Sequence, residues 1–370
     1  MNNLKIAILN DSPFDVGISS YIYNIYLNLK NHNISTDFYQ FSLNSDSSYN
    51  FYQNVNLVKG INFGFKKSLQ LNQILNFNIK AFKNIETLEN YDIIIISNPT
   101  LNKLSKYFDN IIGMGLDLYY LFYKSNSLIY SKYIKSQYKL FKNLKFIICD
   151  SEYTKLDFIK YLEINEERIQ TVYPYVNSKI FYPPDKNFKK IIDIDENDFI
   201  ILNVAYDSPN KNIETVIKLL YELPKNFKLI RVGRNFRSLK LIEEFNLSDR
   251  VYLFEKVESK KLGDIYRSSD FFVFPSLFEG FGIPVIEAMA SGLPVITSSR
   301  TSLPEVAGDV GFIFDPYDID GMKNKILELS KDKELYENIK EKSINRARFF
   351  SSENQFKNLS IAFKKFLELI

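Results

Sequence analysis

The sequence predicts an α/β protein with two domains, each built on a doubly wound parallel sheet. Short runs of β-branched and aromatic residues lack polar alternation, which indicates strands that are buried on both faces. Amphipathic segments of helical length separate these runs, as expected for crossover helices. A length of 370 residues also favours two domains over one. The predicted strands are 5–9, 92–97, 145–149, 199–205, 228–233, 271–276 and 294–299.

The strands and helices fall into two series. Helical spacing of apolar residues is clear in 212–223 and 258–269. Between the series lies 177–190, a polar, turn-like stretch with two adjacent prolines, so we place the domain boundary between 1–183 and 184–346. Ligands of open parallel sheets bind beyond the carboxyl ends of the strands, and two such domains facing each other would enclose a central cleft.

The composition narrows the class of protein. A net charge of +3 provides no field for nucleic acid, so we expect no nucleic-acid partner. The single Cys149 and the single His32 exclude an internal disulfide and metal sites rich in cysteine or histidine. No apolar stretch reaches the roughly 18 residues of a membrane span, and the apolar start is too short for a signal peptide. We therefore expect a cytoplasmic protein.

The stretch "PSLFEGFGIPVIEAMASGLPVI", at 275–296, follows a predicted strand and holds two glutamates. Pro284 suits the first turn of a helix and Gly292 suits its end, so we expect a helix from about Ile283 to Ser291. Glu279 lies in the loop before this helix, and Glu287 lies in its first turns.

This loop and helix combine two kinds of ligand group. The glycines before the helix leave backbone N–H groups open, and a helix N-terminus attracts phosphate. Carboxylates would repel phosphate, but they accept strong hydrogen bonds from vicinal hydroxyls. A diphosphate with a diol at each end is a nucleotide sugar. One glutamate would then bind the ribose, and the other would bind the transferred sugar.

The same residues resemble the signature of the retaining glycosyltransferases of family 4, group 1 glycosyl transferases with the GT-B fold of two Rossmann-like domains. The resemblance extends over nearly the whole chain. It is carried by "PSLFEGFGIPVIEAMASGLPVITSS" (275–299), "TSLPEVAGDVGFIFDP" (301–316), "SPNKN" (208–212), "GISSYIYNIYLNL" (17–29) and "ARFFSSENQFKNLSIAFKKFL" (347–367). It implies an acceptor-side domain at 1–183, a nucleotide-sugar domain at 184–346, and a last helix at about 347–370 that packs back on the first domain.

The resemblance also implies roles for individual residues. Glu279 would hold the donor sugar and steer the reacting centre, and Lys211 would offset the diphosphate charge as the leaving group departs. Glu287 would hold the ribose hydroxyls. The remaining donor-binding positions are Gly280, Phe281, Gly282, Ile283, Gly17, Tyr206, Arg234, Glu255 and Asp117.

Three positions depart from the family pattern. Tyr206 stands where an arginine is usual, and Arg234 and Arg237 are candidates to replace its charge. Asp117 follows a leucine where many members have a histidine. Glu255 ends a strand that usually ends in glycine.

No motif nominates a nucleophile beside the sugar. The resemblance itself implies a same-face substitution in which the leaving diphosphate helps to take the acceptor proton. We expect a UDP- or GDP-sugar donor, no metal ion, and a glycan, lipid-linked or other hydroxyl acceptor. Two alternatives stay open: a nucleotide-sugar epimerase of the same fold, and a non-catalytic subunit that binds the donor.

The segment 119–145 carries six lysines and no acidic residue. Lys132, Lys135, Lys139 and Lys142 have the spacing of one helical face, with tyrosine and phenylalanine between them. This face is either simply solvated or a contact for anionic lipid headgroups, which would suit a lipid-linked acceptor at the membrane surface.

Overall fold

The computed structural model describes residues 3–11, 17–42, 55–59, 85–122, 128–185, 195, 197–234 and 236–370. The chain divides into two compact units, Met1–Pro174 with Glu353–Ile370, and Tyr175–Ser352. Residues 175–183, which the sequence places in the first domain, thus lie in the second unit. The reason is local bonding: the Val176 N–H donates to the Phe350 carbonyl (2.9 Å), and Arg267 donates to the Ile180 carbonyl (2.8 Å).

The first unit contains a parallel sheet of seven described strands in the order β3-β2-β1-β4-β5-β6-β7. Its strands are β1 Lys5–Asn10, β2 Ser35–Ser42, β3 Val55–Lys59, β4 Ile93–Ile96, β5 Ile111–Gly115, β6 Phe146–Cys149 and β7 Ile169–Thr171. All four isoleucines of β4 are buried, as expected where helices cover both faces. The sequence missed β2 because most of its residues are polar, and β7 because it has only three residues.

Helices of the first unit follow the strands as crossovers or short connections. Before the second unit, the described residues form α1 Gly17–Asn31, α2 Tyr119–Phe122, α3 Leu128–Tyr138 and α4 Glu152–Leu162. Ser151 caps α4, because its hydroxyl accepts a hydrogen bond from the Thr154 N–H at 3.0 Å.

The second unit contains a parallel sheet of six strands in the order β10-β9-β8-β11-β12-β13. Its strands are β8 Phe199–Val204, β9 Phe227–Val232, β10 Val251–Phe254, β11 Phe271–Phe274, β12 Val295–Ser298 and β13 Phe312–Phe314. The strand order reverses between β8 and β11, which is where ligands of doubly wound sheets bind.

The helices of the second unit alternate with its strands. They are α5 Ile213–Glu222, α6 Phe236–Glu244, α7 Ser259–Arg267, α8 Ile283–Ala290, α9 Leu303–Ala307, α10 Ile319–Lys331 and α11 Lys333–Ala347. α8 begins and ends within a residue of the prediction, because Pro284 and Gly292 have the expected places at its two ends.

The last helix, α12 (Ser352–Leu367), belongs to the first unit. Its apolar face is buried, with Leu359, Phe363 and Phe366 at 0% exposure. Gln355 accepts a hydrogen bond from the Asn28 amide (2.9 Å) and donates one to the Tyr173 carbonyl (3.1 Å). The chain therefore returns to complete the unit in which it began.

The lysines of 132–142 do not share one α-helical face. α3 ends at Tyr138, and a 3-10 helix, Lys139–Asn143, follows it, so the α-helical spacing is broken between Lys135 and Lys139. Lys142 also pairs with Glu163, with Nζ 2.6 Å from Oε2. Within the described ranges, no helix has the length and the apolar character that crossing a bilayer requires.

Candidate active site

The candidate site of the second unit lies where the loops after β8 and β11 meet. The loop after β8 ends in a 3-10 helix, Pro209–Lys211, and in Asn212, whose φ of 50° is left-handed. The Asn212 amide donates to the carbonyls of Pro275 (3.1 Å) and Pro316 (2.9 Å). The N–H of Leu277 donates to the Asn210 carbonyl at 2.7 Å. These bonds hold the two loops side by side.

This arrangement brings Lys211 into contact with Glu279. The ammonium nitrogen is 2.7 Å from both carboxylate oxygens. The two side chains are 21% and 10% exposed, so the pair is well shielded from solvent. Sequence analysis predicted that Glu279 and Lys211 contact separate parts of one ligand. In the structure, the charges of Lys211 and Glu279 also neutralise each other.

The backbone of Glu279 is fixed by residues that sequence analysis missed. Its N–H donates to the Thr301 hydroxyl at 3.0 Å. The Ser302 hydroxyl donates to the carbonyls of Glu279 (3.2 Å) and Phe281 (3.0 Å). Thr301 and Ser302 follow β12, the neighbour of β11, so their place at a carboxyl strand end was the available signal.

Gly282 gives the chain its turn into α8. Its φ of 100° lies in the region that favours glycine, and a Cβ there would lie 2.8 Å from Leu303 Cδ2. Gly282 is buried, whereas Gly280 and Ile283 are partly exposed. Phe281, another predicted donor-binding position, is 3% exposed, so its side chain is part of the core.

Glu287 lies on α8 beside a tyrosine that sequence analysis did not single out. Its Oε2 accepts a hydrogen bond from the Tyr266 hydroxyl at 2.8 Å. Burial raises the pKa of the Glu287 carboxyl to about 7, and the bond from Tyr266 opposes that rise. Tyr266 lies on α7 and is fully buried. An isolated tyrosine in an amphipathic helix carries no signal in the sequence that separates it from a core residue.

Three other predicted residues lie along the same edge of the sheet. Tyr206, Arg234 and Glu255 follow β8, β9 and β10, and all three are exposed. Arg237, the other candidate for a second cation, is also exposed, and its backbone N–H donates to the Asp207 carboxylate. The structure places these residues at the carboxyl edge of the sheet, and in the described part of the chain none of them bonds directly to Glu279 or Lys211.

Arg231 is a buried cation at this edge that sequence analysis overlooked. It is 0% exposed, and its Nη1 donates to the carbonyls of Ala205 and Val232. Its Nε and Nη2 have no hydrogen-bond partner among the described residues. Burial lowers its pKa to about 10, and the nearby Asp207 opposes that change. A lone arginine in the apolar run "KLIRVG" was the available signal.

Two predicted residues lie in the first unit. Asp117 follows β5, and its carboxylate accepts a hydrogen bond from the Tyr119 N–H at 2.9 Å. It lines a small cavity of about 70 Å³ together with Ser97, Leu116 and Tyr120. Gly17 is the first residue of α1, and residues 12–16 before it lie outside the described part.

The described side chains of His, Cys, Asp and Glu form no cluster of three that could hold a metal ion. The chemical groups gathered at the site are an ammonium, two carboxylates, backbone N–H groups and the N-terminus of α8. Such a set suits a ligand that is both anionic and rich in hydroxyls.

Residues 184–346 match the family model described as glycosyl transferases group 1. This part of the chain is therefore similar to that family. The O-antigen chain mannosyltransferase B of Escherichia coli is 34% identical over 161 residues, which cover 41% of this chain and 42% of the relative. The O-antigen chain mannosyltransferase RfbU of Salmonella typhimurium is 30% identical over 202 residues, 53% of this chain and 54% of the relative. The chain thus spans about half the length of these group 1 relatives, or less.

Solved structures resemble this chain over its whole length. Sucrose-phosphate synthase from Thermosynechococcus elongatus matches with a TM-score of 0.85 at 18% identity, covering 100% of both chains. Anabaena HepE, in complex with UDP and glucose, matches with a TM-score of 0.80 at 16% identity, covering 98% of this chain and 100% of HepE. These likenesses confirm the predicted GT-B fold.

Proposed function

We propose that the chain is a retaining glycosyltransferase, which moves a sugar from a nucleotide diphosphate sugar to a hydroxyl group of an acceptor. The shielded contact between Lys211 and Glu279, directly before the N-terminus of α8, carries this proposal. Glu287, on α8, supplies a second carboxylate at about one helical turn from the start. The family match of 184–346 supports the same reaction.

In this proposal the donor is bound by charge and by hydroxyl recognition. Backbone N–H groups of residues 280–283 and the α8 N-terminus meet the diphosphate. Glu287 accepts hydrogen bonds from the ribose diol, and Glu279 accepts them from the transferred sugar. Lys211, now paired with Glu279, lies between the sugar site and the diphosphate, where negative charge develops as the leaving group departs.

The bond changes take place on one face of the sugar. The bond from C1 to the acceptor oxygen forms as the bond from C1 to the diphosphate oxygen breaks. The acceptor proton passes to the departing diphosphate, so no side chain has to form a covalent intermediate. The ion pair supports this course, because a carboxylate held by Lys211 is a weaker nucleophile than a free one.

The finer identity of the substrates rests on relatives. HepE was solved with UDP-glucose, and several relatives are named mannosyltransferases of O-antigen chains, so we propose a UDP- or GDP-hexose donor, without a metal ion. We further propose a glycan or lipid-linked acceptor, and a cytoplasmic enzyme that touches the membrane through lysines in 132–142.

The test uses purified protein with UDP-glucose, UDP-N-acetylglucosamine and GDP-mannose, with and without an oligosaccharide acceptor. We expect release of nucleoside diphosphate from one donor and a product whose anomeric configuration, read by NMR, matches that of the donor. An inverted product would contradict retention. A donor sugar recovered with altered stereochemistry would identify an epimerase. Tight donor binding with no turnover would identify a non-catalytic subunit.

A further inference from the structure

Tyr266 presents its hydroxyl to the carboxylate that the proposed function assigns to the ribose. The hydroxyl is 2.8 Å from Glu287 Oε2 and 3.4 Å from the Pro284 carbonyl, in the first turn of α8. We propose that Tyr266 is a positioning residue that keeps the Glu287 carboxylate ionised and aligned for the ribose diol of the donor. This inference rests on the proposed function of Glu287.

The tyrosine ring is held firmly from two sides. Phe181 meets it edge-on, with ring centroids 5.3 Å apart, and Phe272 of β11 lies with its centroid at 5.8 Å. Tyr266 is fully buried, and Gly263, one turn earlier on α7, lies against the Ile180 carbonyl. A ring fixed in this way leaves its hydroxyl little freedom, so the bond to Glu287 restricts the carboxylate more than a mobile partner would.

The direction of this hydrogen bond matters for ligand binding. Burial raises the pKa of Tyr266 well above its usual value, so the hydroxyl remains a donor and Glu287 the acceptor. An ionised carboxylate has about four acceptor sites, so it can accept this bond and still accept two from a diol. A protonated carboxyl would lose acceptor capacity. The hydrogen bond from Tyr266 favours the ionised form against the cost of burial.

Other ionisable groups near α8 do not take over this role. On α7, Arg267 pairs with Asp264. On α11, Lys340 lies against Gly292, beyond the far end of α8. On α9, the backbone carbonyl of Glu305 accepts a hydrogen bond from Arg346 Nη2 (2.7 Å). β11 and β12 contain no ionisable residue. Among the described groups, Tyr266 is thus the partner whose contact shifts the Glu287 pKa downward.

Donor affinity should therefore depend on pH, and Tyr266 should set the midpoint of this dependence. In the wild type, Glu287 ionises as the pH rises through about 7. Donor affinity should therefore be about tenfold higher near pH 8 than near pH 6, since the ionised fraction rises by about that factor. Without the hydroxyl, the midpoint should move upward by about one pH unit, because a bond to the charged form is lost.

The experiment compares the wild type with Tyr266→Phe by calorimetric titration with UDP-glucose and GDP-mannose between about pH 6 and pH 8.5, below the titration of the bases. Tyr336→Phe is the matched control, because it removes the hydroxyl of a partly buried tyrosine, bonded to the Asp270 carbonyl at 2.9 Å. For Tyr266→Phe we expect affinity about fivefold lower near pH 7 and recovery toward pH 8.5. The control should keep the wild-type midpoint.

The 2′-deoxy form of the donor that binds provides an independent check, because it keeps one of the two ribose hydroxyls and the pH step of its affinity should be smaller. A Tyr266→Phe variant whose affinity falls equally at every pH, or not at all, would overturn the positioning role. Wild-type protein that binds neither nucleotide sugar would instead overturn the proposed function. If Tyr266→Phe does not fold, Phe181→Leu loosens the ring while keeping the hydroxyl, and it should raise the midpoint; an unchanged midpoint would contradict the inference.

Discussion

At the carboxyl edge of the second sheet, the Lys211 ammonium contacts both oxygens of Glu279, and little water reaches either side chain. An exposed pair of this kind would contribute little to stability, but a shielded charge loses much more when its partner is removed. Each residue therefore affects both the free energy of unfolding and the chemistry, and experiments must separate the two.

Lys211→Ala should lower kcat by roughly 10²- to 10³-fold, with a smaller change in KM, because the charge acts most as the diphosphate leaves. Steady-state kinetics with the preferred donor give both constants. Lys218→Ala is a suitable control, since Lys218 forms an exposed pair with Glu214 on α5. A variant with intact kcat and raised KM would show that Lys211 binds only the ground state.

Glu287→Ala should weaken donor binding by roughly 1.5–3 kcal/mol, the usual value of hydrogen bonds to a charged group. Calorimetric titration above pH 8 measures the full effect, because the wild-type carboxyl is then ionised. Glu243→Ala, at an exposed position on α6, is the control in the same unit. Unchanged affinity in a folded Glu287→Ala variant would remove the ribose assignment.

At the scale of elements, α8 depends on a glycine at each end. Gly282 has a φ of 100° and Gly292 a φ of 80°. Both are strained for any other residue, but only Gly282 lies at the proposed donor site. Substitutions at the two glycines can therefore be compared. Both introduce backbone strain, but only the one at Gly282 lies at the proposed donor site.

Gly282→Ala and Gly292→Ala should each destabilise the protein by about 1–2 kcal/mol, the cost of a left-handed conformation for a residue with a Cβ. Gly282→Ala should also weaken donor binding, since its Cβ meets Leu303 and shifts the start of α8. Thermal unfolding and donor titration on both variants separate the effects. Equal donor affinity in the two variants would show that the α8 N-terminus does not bind the donor.

The lysines of 132–142 belong to two elements, which changes the membrane prediction. Lys132 and Lys139 are exposed, whereas Lys142 is paired with Glu163. Each lysine near an anionic surface contributes about 1 kcal/mol, so Lys132→Gln with Lys139→Gln should weaken binding to anionic liposomes. Lys142→Gln should have less effect. The measurement is co-sedimentation at low salt and at about 1 M salt, where the Debye length falls to about 3 Å. Wild-type protein that stays in solution at low salt would contradict membrane contact.

At the scale of the whole molecule, the chain begins and ends in the same unit. α12 covers the first sheet, and the rings of Phe366 and Phe146 on β6 have centroids 6.1 Å apart. The first unit is therefore incomplete until the last helix has been synthesised. Its folding must involve contacts between residues that are far apart in sequence, which slows folding.

Phe366→Ala should destabilise the first unit by about 3–5 kcal/mol, because a fully buried ring leaves a cavity. Ile361→Ala on the same helix is the control, since Ile361 is 39% exposed and should cost far less. Hydrogen exchange, read by mass spectrometry, should show lost protection in β6 and β7 for Phe366→Ala. Wild-type protection in those strands would show that α12 adds little to the stability of the unit.

The sequence alone determined the fold class and the core of the candidate site. Strands such as β4 consist only of large apolar residues, so a doubly wound architecture was recognisable locally. The loop before α8 and both of its glutamates were also identified from local chemistry, because glycine, proline and carboxylates have strong positional preferences. These features depend on neighbours along the chain.

Only the tertiary structure decided which side chains from distant segments meet. The contact between Lys211 and Glu279, the caps from Thr301 and Ser302, and the bond from Tyr266 to Glu287 join the ends of different strands and helices. Tyr266 has no neighbours in sequence that mark it, because burial is a property of the assembled sheet and its helices. The pKa of Glu287 follows from that burial, so it too is a product of packing rather than of the local sequence.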